Sequence, residues 1–352
     1  MKNLRKILLL LFVVASFGCE EDDFGEVHDS SETFLDGKGF FIVNEGNFTH
    51  SSGSISFYSF DSSKIYNNLF YEANDRPLGD VPQHMVINDT TAWLVVNNSS
   101  KIEQVSLNTF RSKGSITGLT SPRQMHLLGN DLAYVSDLYS DTLSIVDLAT
   151  SEKVGGIYLG RSSESMVESA GKVFVANWSN LGHSGLENNK IMVIDPVKHQ
   201  VVDSVEVAKE PNSMVVDKDG HVWVLCSGGY SGEETPALHK TDPETVSILK
   251  SYHFEHENIN PSELSINRSG DTLYFLNQGV FRMPVDAAKL PTQSLIPQND
   301  RLFYALGLVH DHVAVSDAVD YQQKGIVYLF SKNGAKVDSV RAGIIPGFFR
   351  EK

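Results

Sequence analysis

Asn44, Asn97, Asp137, Asn177, Ser227, Asn277 and Asp317 share one recurring place in the sequence: each ends an alternating apolar run, as in "FFIVN", "AWLVVN", "LAYVSD" and "KVFVAN". A second polar set opens the apolar stretch ahead of each run: His84, Arg123, Glu164, Asn212, Glu263 and Tyr304. The segments after the runs add Glu45, Phe48, Tyr139, Trp178, Tyr230 and Tyr321. Amides, acids and aromatic rings together suit a large ligand rich in amides or hydroxyls. Glu45, Asn97, Asn177 and Asp317 would also make an oxygen-only ligand set of the kind that holds Ca2+. The competing reading is that Asn and Asp simply end strands and cap turns.

Signals for covalent or cofactor chemistry are absent. There is no Gly-x-Ser-x-Gly, no phosphate-cradling glycine loop and no Cys-x-x-Cys. His253 with His256, and His310 with His312, read as solvated turn histidines. The expectation is a protein that is not an enzyme and needs no cofactor.

The elements that must position these residues repeat. Apolar anchors Met85, Met125, Met166, Met214, Leu264 and Leu306 recur every 40 to 50 residues, mostly in a Pro-x-x-Met setting. Each unit reads as a short strand, a turn bearing Asn, Asp or Gly, an alternating strand with the polar end, a variable loop, and two further strands joined by turns such as "DLATSEK". Four antiparallel strands per repeat of this length predict propeller blades. Residues 39–73 hold only the last three strands of a unit, and the terminal "IPGFFREK" supplies the missing first one. The prediction is an all-β, seven-bladed β-propeller whose C-terminal strand completes the N-terminal blade. Two of its variable loops, 177–190 and 227–237, are long and read as a ligand wall or a partner contact.

The N-terminus predicts an address rather than a fold element. Lys2, Arg5 and Lys6 precede the apolar stretch Ile7–Ala15, too short to span a membrane, and Gly18-Cys19 follows. This resembles a bacterial lipoprotein signal, with Cys19 lipidated. The acids Glu20 to Asp23 after it resemble the surface-export signal of Bacteroidetes lipoproteins. The domain reading is a signal peptide at 1–18, an acidic flexible tether at 19–38 and the propeller at 39–352. The other cysteine, Cys226, lies in an apolar run and reads as a buried hydrophobe. A formal charge of −15 argues against nucleic acid as a partner. Four triplets (at Asp141, Asp203, Asp271 and Asp338) resemble the O-glycosylation acceptor of the same bacteria.

The repeats, best seen in "LAYVSDLYSDTLSIVDLATSEKVGGIYLG", resemble YVTN/YncE-like propeller repeats over residues 39–349. Together with "CEEDD" and "GFFIVNEGNF", they look most like the BtuG-type cobalamin-binding surface lipoproteins of Bacteroidetes. That resemblance implies capture of cobalamin or a related corrinoid at the cell surface. It also implies an outer-membrane location, lipid anchoring through Cys19 and delivery to a TonB-dependent outer-membrane transporter. Two alternatives stay open: a metal-dependent lactonase-like propeller hydrolase, since such enzymes use acid-and-amide metal sites, and a glycan-binding or scaffold propeller.

Overall fold

The computed structural model describes residues 35, 37–181 and 185–352. The stretch read as a signal peptide, Cys19 and nearly all of the stretch read as a tether lie outside the described residues. Leu35, within the stretch read as tether, is buried among apolar side chains of the first two blades.

The strands form seven four-stranded antiparallel sheets, as the repeat predicts. Six follow chain order from the inner strand outward. The seventh is composite: the last strand, Pro346–Glu351, pairs antiparallel with the first, Gly39–Asn44, and Ser54–Ser59 and Lys64–Tyr66 complete the sheet. Calling this blade 1, the others begin at Pro82, Pro122, Met166, Pro211, Ser262 and Phe303.

Each core cluster is a seam between two blades. Side chains alternate across a strand, so Gly39–Asn44 serves two seams at once. Phe41 and Val43 pack with Met85, Leu94 and Val96 of blade 2. Phe40 and Ile42 pack with Ala305, Ala314 and Val327 of blade 7. Burial on both faces explains why these strands read as near-continuous apolar runs. The repeat anchors plug the seams: Met85, Met125, Met166, Met214, Leu264 and Leu306 each sit in the cluster shared with the preceding blade. Phe349 takes the equivalent place between blades 7 and 1. Cys226 is buried in the seam between blades 4 and 5, and burial raises its thiol pKa well above the ordinary value.

The two faces of the ring differ in their connections. Turns from the first to the second strand and from the third to the fourth are short. Asp147, Asp195 and Asp242 each accept two backbone N–H bonds within their own turn. This is the turn face, where both described ends of the chain meet: Lys352 N donates to Gly39 O at 3.2 Å. The opposite, loop face carries the connections from second to third strand and from each outer strand to the next blade. One of the latter contains a short helix, Leu69–Asn74, that no sequence signal announced.

His310 and His312 flank a turn, as read, but both are half-buried rather than solvated. His310 Nδ1 lies 3.3 Å from Glu351 Oε1, and the His312 ring stacks on Phe60 at 5.1 Å. His310 thereby helps hold the closing strand, and His312 packs on blade 1.

Candidate functional site

On the loop face the central opening is ringed by the upper ends of the seven inner strands. In six blades the pairing between inner and second strand slips there, for example between Pro82 and His84 and between Pro122 and Met125. Such bulges re-aim consecutive side chains, and here they gather a charged network from five blades. Arg123 donates through Nε to both Glu164 carboxylate oxygens, at 2.9 and 2.7 Å, and through Nη1 to Gln83 Oε1. Its guanidinium lies 5.5 Å from the Trp178 ring centroid. Across the opening, the Tyr304 hydroxyl donates to the Glu45 carboxylate at 3.1 Å, and the Tyr304 and Tyr321 rings meet edge-on.

Carboxylates outnumber cations here, and the proton balance follows. Burial raises the Glu45 pKa to about 7; Arg123 and the Tyr304 hydroxyl pull it down, and Glu164 adds to the rise. Burial raises Glu263 to about 8, with further repulsion from Glu45 and Glu164. Burial and the Glu45 carboxylate push the Tyr304 phenol up, which keeps it a donor. Arg123 is held charged by Glu164 and Glu45 against the cost of its burial. Near neutral pH the opening therefore presents both protonated and ionised carboxyls. Gly347 makes room for Glu45: a Cβ at 347 would collide with that carboxylate.

Of the residues singled out in the sequence, Glu45, Arg123, Glu164, Glu263 and Tyr304 are thus brought together at the opening, with Trp178 and Tyr321 beside them. The Asn and Asp that end the second strands do something else: they spend their polar atoms inside the scaffold. Asn44 donates to Ser54 O and Ser56 Oγ and accepts from Gly343 N. Asn97 donates to Ser121 Oγ and Pro122 O. Asp137 accepts four backbone N–H bonds, from Thr120, Ser121, Tyr139 and Ser140. Asn177 donates to Ser162 O and Ser179 O, and Asp317 accepts from Leu302 N and Val319 N. In most blades this polar residue pins the segment that enters the inner strand. Asn212 likewise donates to Pro261 O of the next blade. Asn277 is half-buried in a tight turn.

Two corrections follow. Asn97, Asn177 and Asp317 are buried and committed to three separate blades, so they do not assemble with Glu45 as an oxygen cage. His84 sits one position deeper than the opening. Its ring lies 4.5 Å from Phe348, and burial, with Arg350 and His126, lowers its pKa to about 3. Its neighbour Gln83 holds the position equivalent to Arg123. Counting from the prolines, Pro82 against Pro122, gives Gln83.

Around the opening the face is studded with rings. Among the described residues the exposed aromatics are Phe48, Tyr71, Tyr139, Tyr158, Tyr230 and Tyr321, and all stand on loop-face connections or at the strand end beside one. Two half-open hollows lie among them. One, about 220 Å³, is lined by Ser51–Ser54, Phe70 and Tyr71; the other, about 270 Å³, by Tyr230 and Glu257–Asn260.

Asp217, Asp219 and His221 form the one group of three acidic, His or Cys side chains with metal-compatible spacing among the described residues. They lie on the turn face. Asp217 is fully engaged: Oδ1 accepts from the Asp219 and His221 backbone, and Oδ2 from Trp223 Nε1 at 2.9 Å, with Lys240 Nζ at 3.2 Å. That is a locked turn.

Fold and site together define a seven-bladed β-propeller with a carboxylate-rich opening on an aromatic face. The chain belongs to the family described as a domain of unknown function, DUF5074, whose model matches residues 38–341. No curated protein matches it. Among solved structures it is similar to a quinoprotein alcohol dehydrogenase-like protein from Bacteroides thetaiotaomicron, with 13% identity and TM-score 0.66 over 91% of this chain and 79% of that one. It is also similar to the periplasmic gluconolactonase of Pseudomonas aeruginosa, with 12% identity and TM-score 0.64 over 89% and 99%. A functionally unknown protein from Desulfotomaculum acetoxidans matches at 14% identity and TM-score 0.65 over 89% and 98%. At such identities the likeness is one of fold. No helix among the described residues is long and apolar enough to cross a membrane.

Proposed function

We propose that this protein is a non-enzymatic capture protein whose loop face binds cobalamin or a related corrinoid. In this reading it is anchored to the outer membrane through lipid on Cys19, faces outward, and passes its ligand to a TonB-dependent transporter. The observation that carries the reading is the placement of the exposed aromatics on one face, around an opening that offers carboxylate, protonated carboxyl, amide and phenol groups. A corrinoid is a broad, amide-fringed ligand. It is too large for hollows of 220 to 270 Å³ and suited to lying across such a face. The lipoprotein signal and the family resemblance supply the location and the partner. Titrating the purified protein with cyanocobalamin tests it. Saturable binding at micromolar protein supports capture; no heat and no absorbance change at that concentration rejects the corrinoid.

One observation favours a second reading, a lactonase-like hydrolase. Glu45, with a pKa near 7, is tuned as a general base would be, and it sits at the opening beside a phenol donor. Hydrolysis of a simple aldonolactone that is abolished by Glu45→Gln would move the protein to this class.

A further inference from the structure

Arg161 stands in the connection from blade 3 to blade 4, on the loop face. Its Nη1 donates to Asn177 Oδ1 at 3.1 Å and to the Glu187 carbonyl at 3.2 Å. Its Nε is buried without a partner, the one guanidinium nitrogen in that state among the described residues. The nearby acids are engaged elsewhere: Glu164 by Arg123 at 2.7 Å and Glu187 by Lys209 at 2.8 Å. Arg76 and Arg268, by contrast, have carboxylate partners, Glu103 and Glu351.

A half-buried guanidinium with an unmade hydrogen bond is costly. It is conspicuous in a chain of formal charge −15, where acids are in excess. Arg161 is also joined to the opening. It bonds Asn177, and the next residue, Trp178, lies against Arg123. A planar cation with donors to spare is the chemistry that receives a phosphate or carboxylate oxygen.

We infer that Arg161 is the anion subsite of the loop face, taking an oxygen of a ligand phosphodiester or carboxylate on the guanidinium edge that Asn177 and Glu187 leave unbonded. This rests on the capture reading and extends it by assigning the ligand's charged group to a particular side chain. Cobalamin carries one phosphodiester, and cobinamide lacks it.

Calorimetric titration of the protein with cyanocobalamin and with dicyanocobinamide tests the assignment. The wild type should bind cyanocobalamin about 10- to 100-fold more tightly, the worth of a charge-assisted contact. Arg161→Gln should bring cyanocobalamin to the cobinamide level and leave cobinamide unchanged; Arg161→Lys should fall between. Equal affinities in the wild type, a comparison that needs no variant to fold, overturn the subsite while leaving capture standing. So does an unchanged gap in Arg161→Gln. If neither corrinoid binds, the capture reading falls. The subsite is then read from the thermal shift produced by inorganic phosphate and by gluconate, which also separates the two anion types. A shift in the wild type that is lost in Arg161→Gln supports it. No shift, or the same shift in both proteins, overturns it.

Discussion

The two faces of the ring are made from the same sheets and the same number of blades, yet they spend their polar side chains differently. On the turn face, short connections close on themselves. Asp147, Asp195 and Asp242 cap their own turns, and Asp217 is tied to Trp223 and Lys240. On the loop face, pinning residues such as Asp137 and Asn177 hold the strand entries from beneath. Above them stand exposed rings, including Tyr230 at 93% exposure, and a cluster of buried ionisable groups at the opening. The lesson is that the acids of one face are spent on closing short turns, while the other surrounds an opening with exposed rings and ionisable groups, the usual make-up of a binding surface on a rigid scaffold.

The largest way to break this contrast is to break the ring beneath both faces. Removing residues 346–352 strips the inner strand from blade 1 and exposes the seam around Phe40 and Ile42. Cooperative thermal unfolding, followed by circular dichroism, should be lost.

A matched pair of substitutions then tests whether polar residues on both faces are scaffold. Asp217→Ala on the turn face strands the Trp223 N–H and Lys240, and should cost about 3 kcal/mol in urea unfolding. Asp137→Ala on the loop face leaves four backbone N–H groups unpaired and should cost a similar ~3 kcal/mol. Asp137→Ala that weakens ligand binding with stability intact would return Asp137 to the ligand surface.

The opening should also make stability depend on pH. Glu45 and Glu263 have folded pKa values of about 7 and 8, above their usual 4.5. Between those limits the native state binds more protons than the unfolded one, so stability falls as pH rises. Stability should fall steadily from pH 5 to pH 8.5, and Glu45→Gln with Glu263→Gln should flatten the fall. A profile equally steep in the double variant would place the titrating groups elsewhere. The turn face contributes in the opposite sense. Despite its burial, hydrogen bonds and Lys240 lower the Asp217 pKa, so its share is lost as pH falls through that lowered value.

The smallest effects on stability should be the sharpest on function. Phe48→Ala and Tyr230→Ala remove exposed rings and should change stability by less than about 0.5 kcal/mol. They should still weaken the ligand about five- to tenfold. Val197→Ser, at an 87% exposed residue on the turn face, should change neither. Equal effects of all three on binding would erase the distinction between the faces.

Much of this was legible in the chain. Blade number, strand order and the closing role of Pro346–Glu351 followed from the repeat, because a strand buried on both faces must carry apolar residues in near-continuous runs. Arg123, Glu164, Glu263 and Tyr304 were found by their place at the strand entries, and Glu45 by its place just after a second strand. The confusion of His84 with Gln83 was one of register: counted from its proline, Gln83 and not His84 matches Arg123. The inward turn of Asn44, Asn97 and Asn177 was not legible, since most of their partners lie on other segments of the chain, such as Gly343 for Asn44. Arg161 carried no motif at all; its significance is the lack of a partner.

By itself, then, the sequence determined the ring: periodic apolar patterning specifies strands, and their count and the split first blade specify seven-fold closure. The tertiary structure alone decided what each polar residue is for. An Asn at a strand end reads the same whether its amide faces solvent or a neighbouring entry segment, and the pKa of Glu45 is set by burial and by charges from blades three and four. Those are properties of distance and desolvation, which only the folded ring creates.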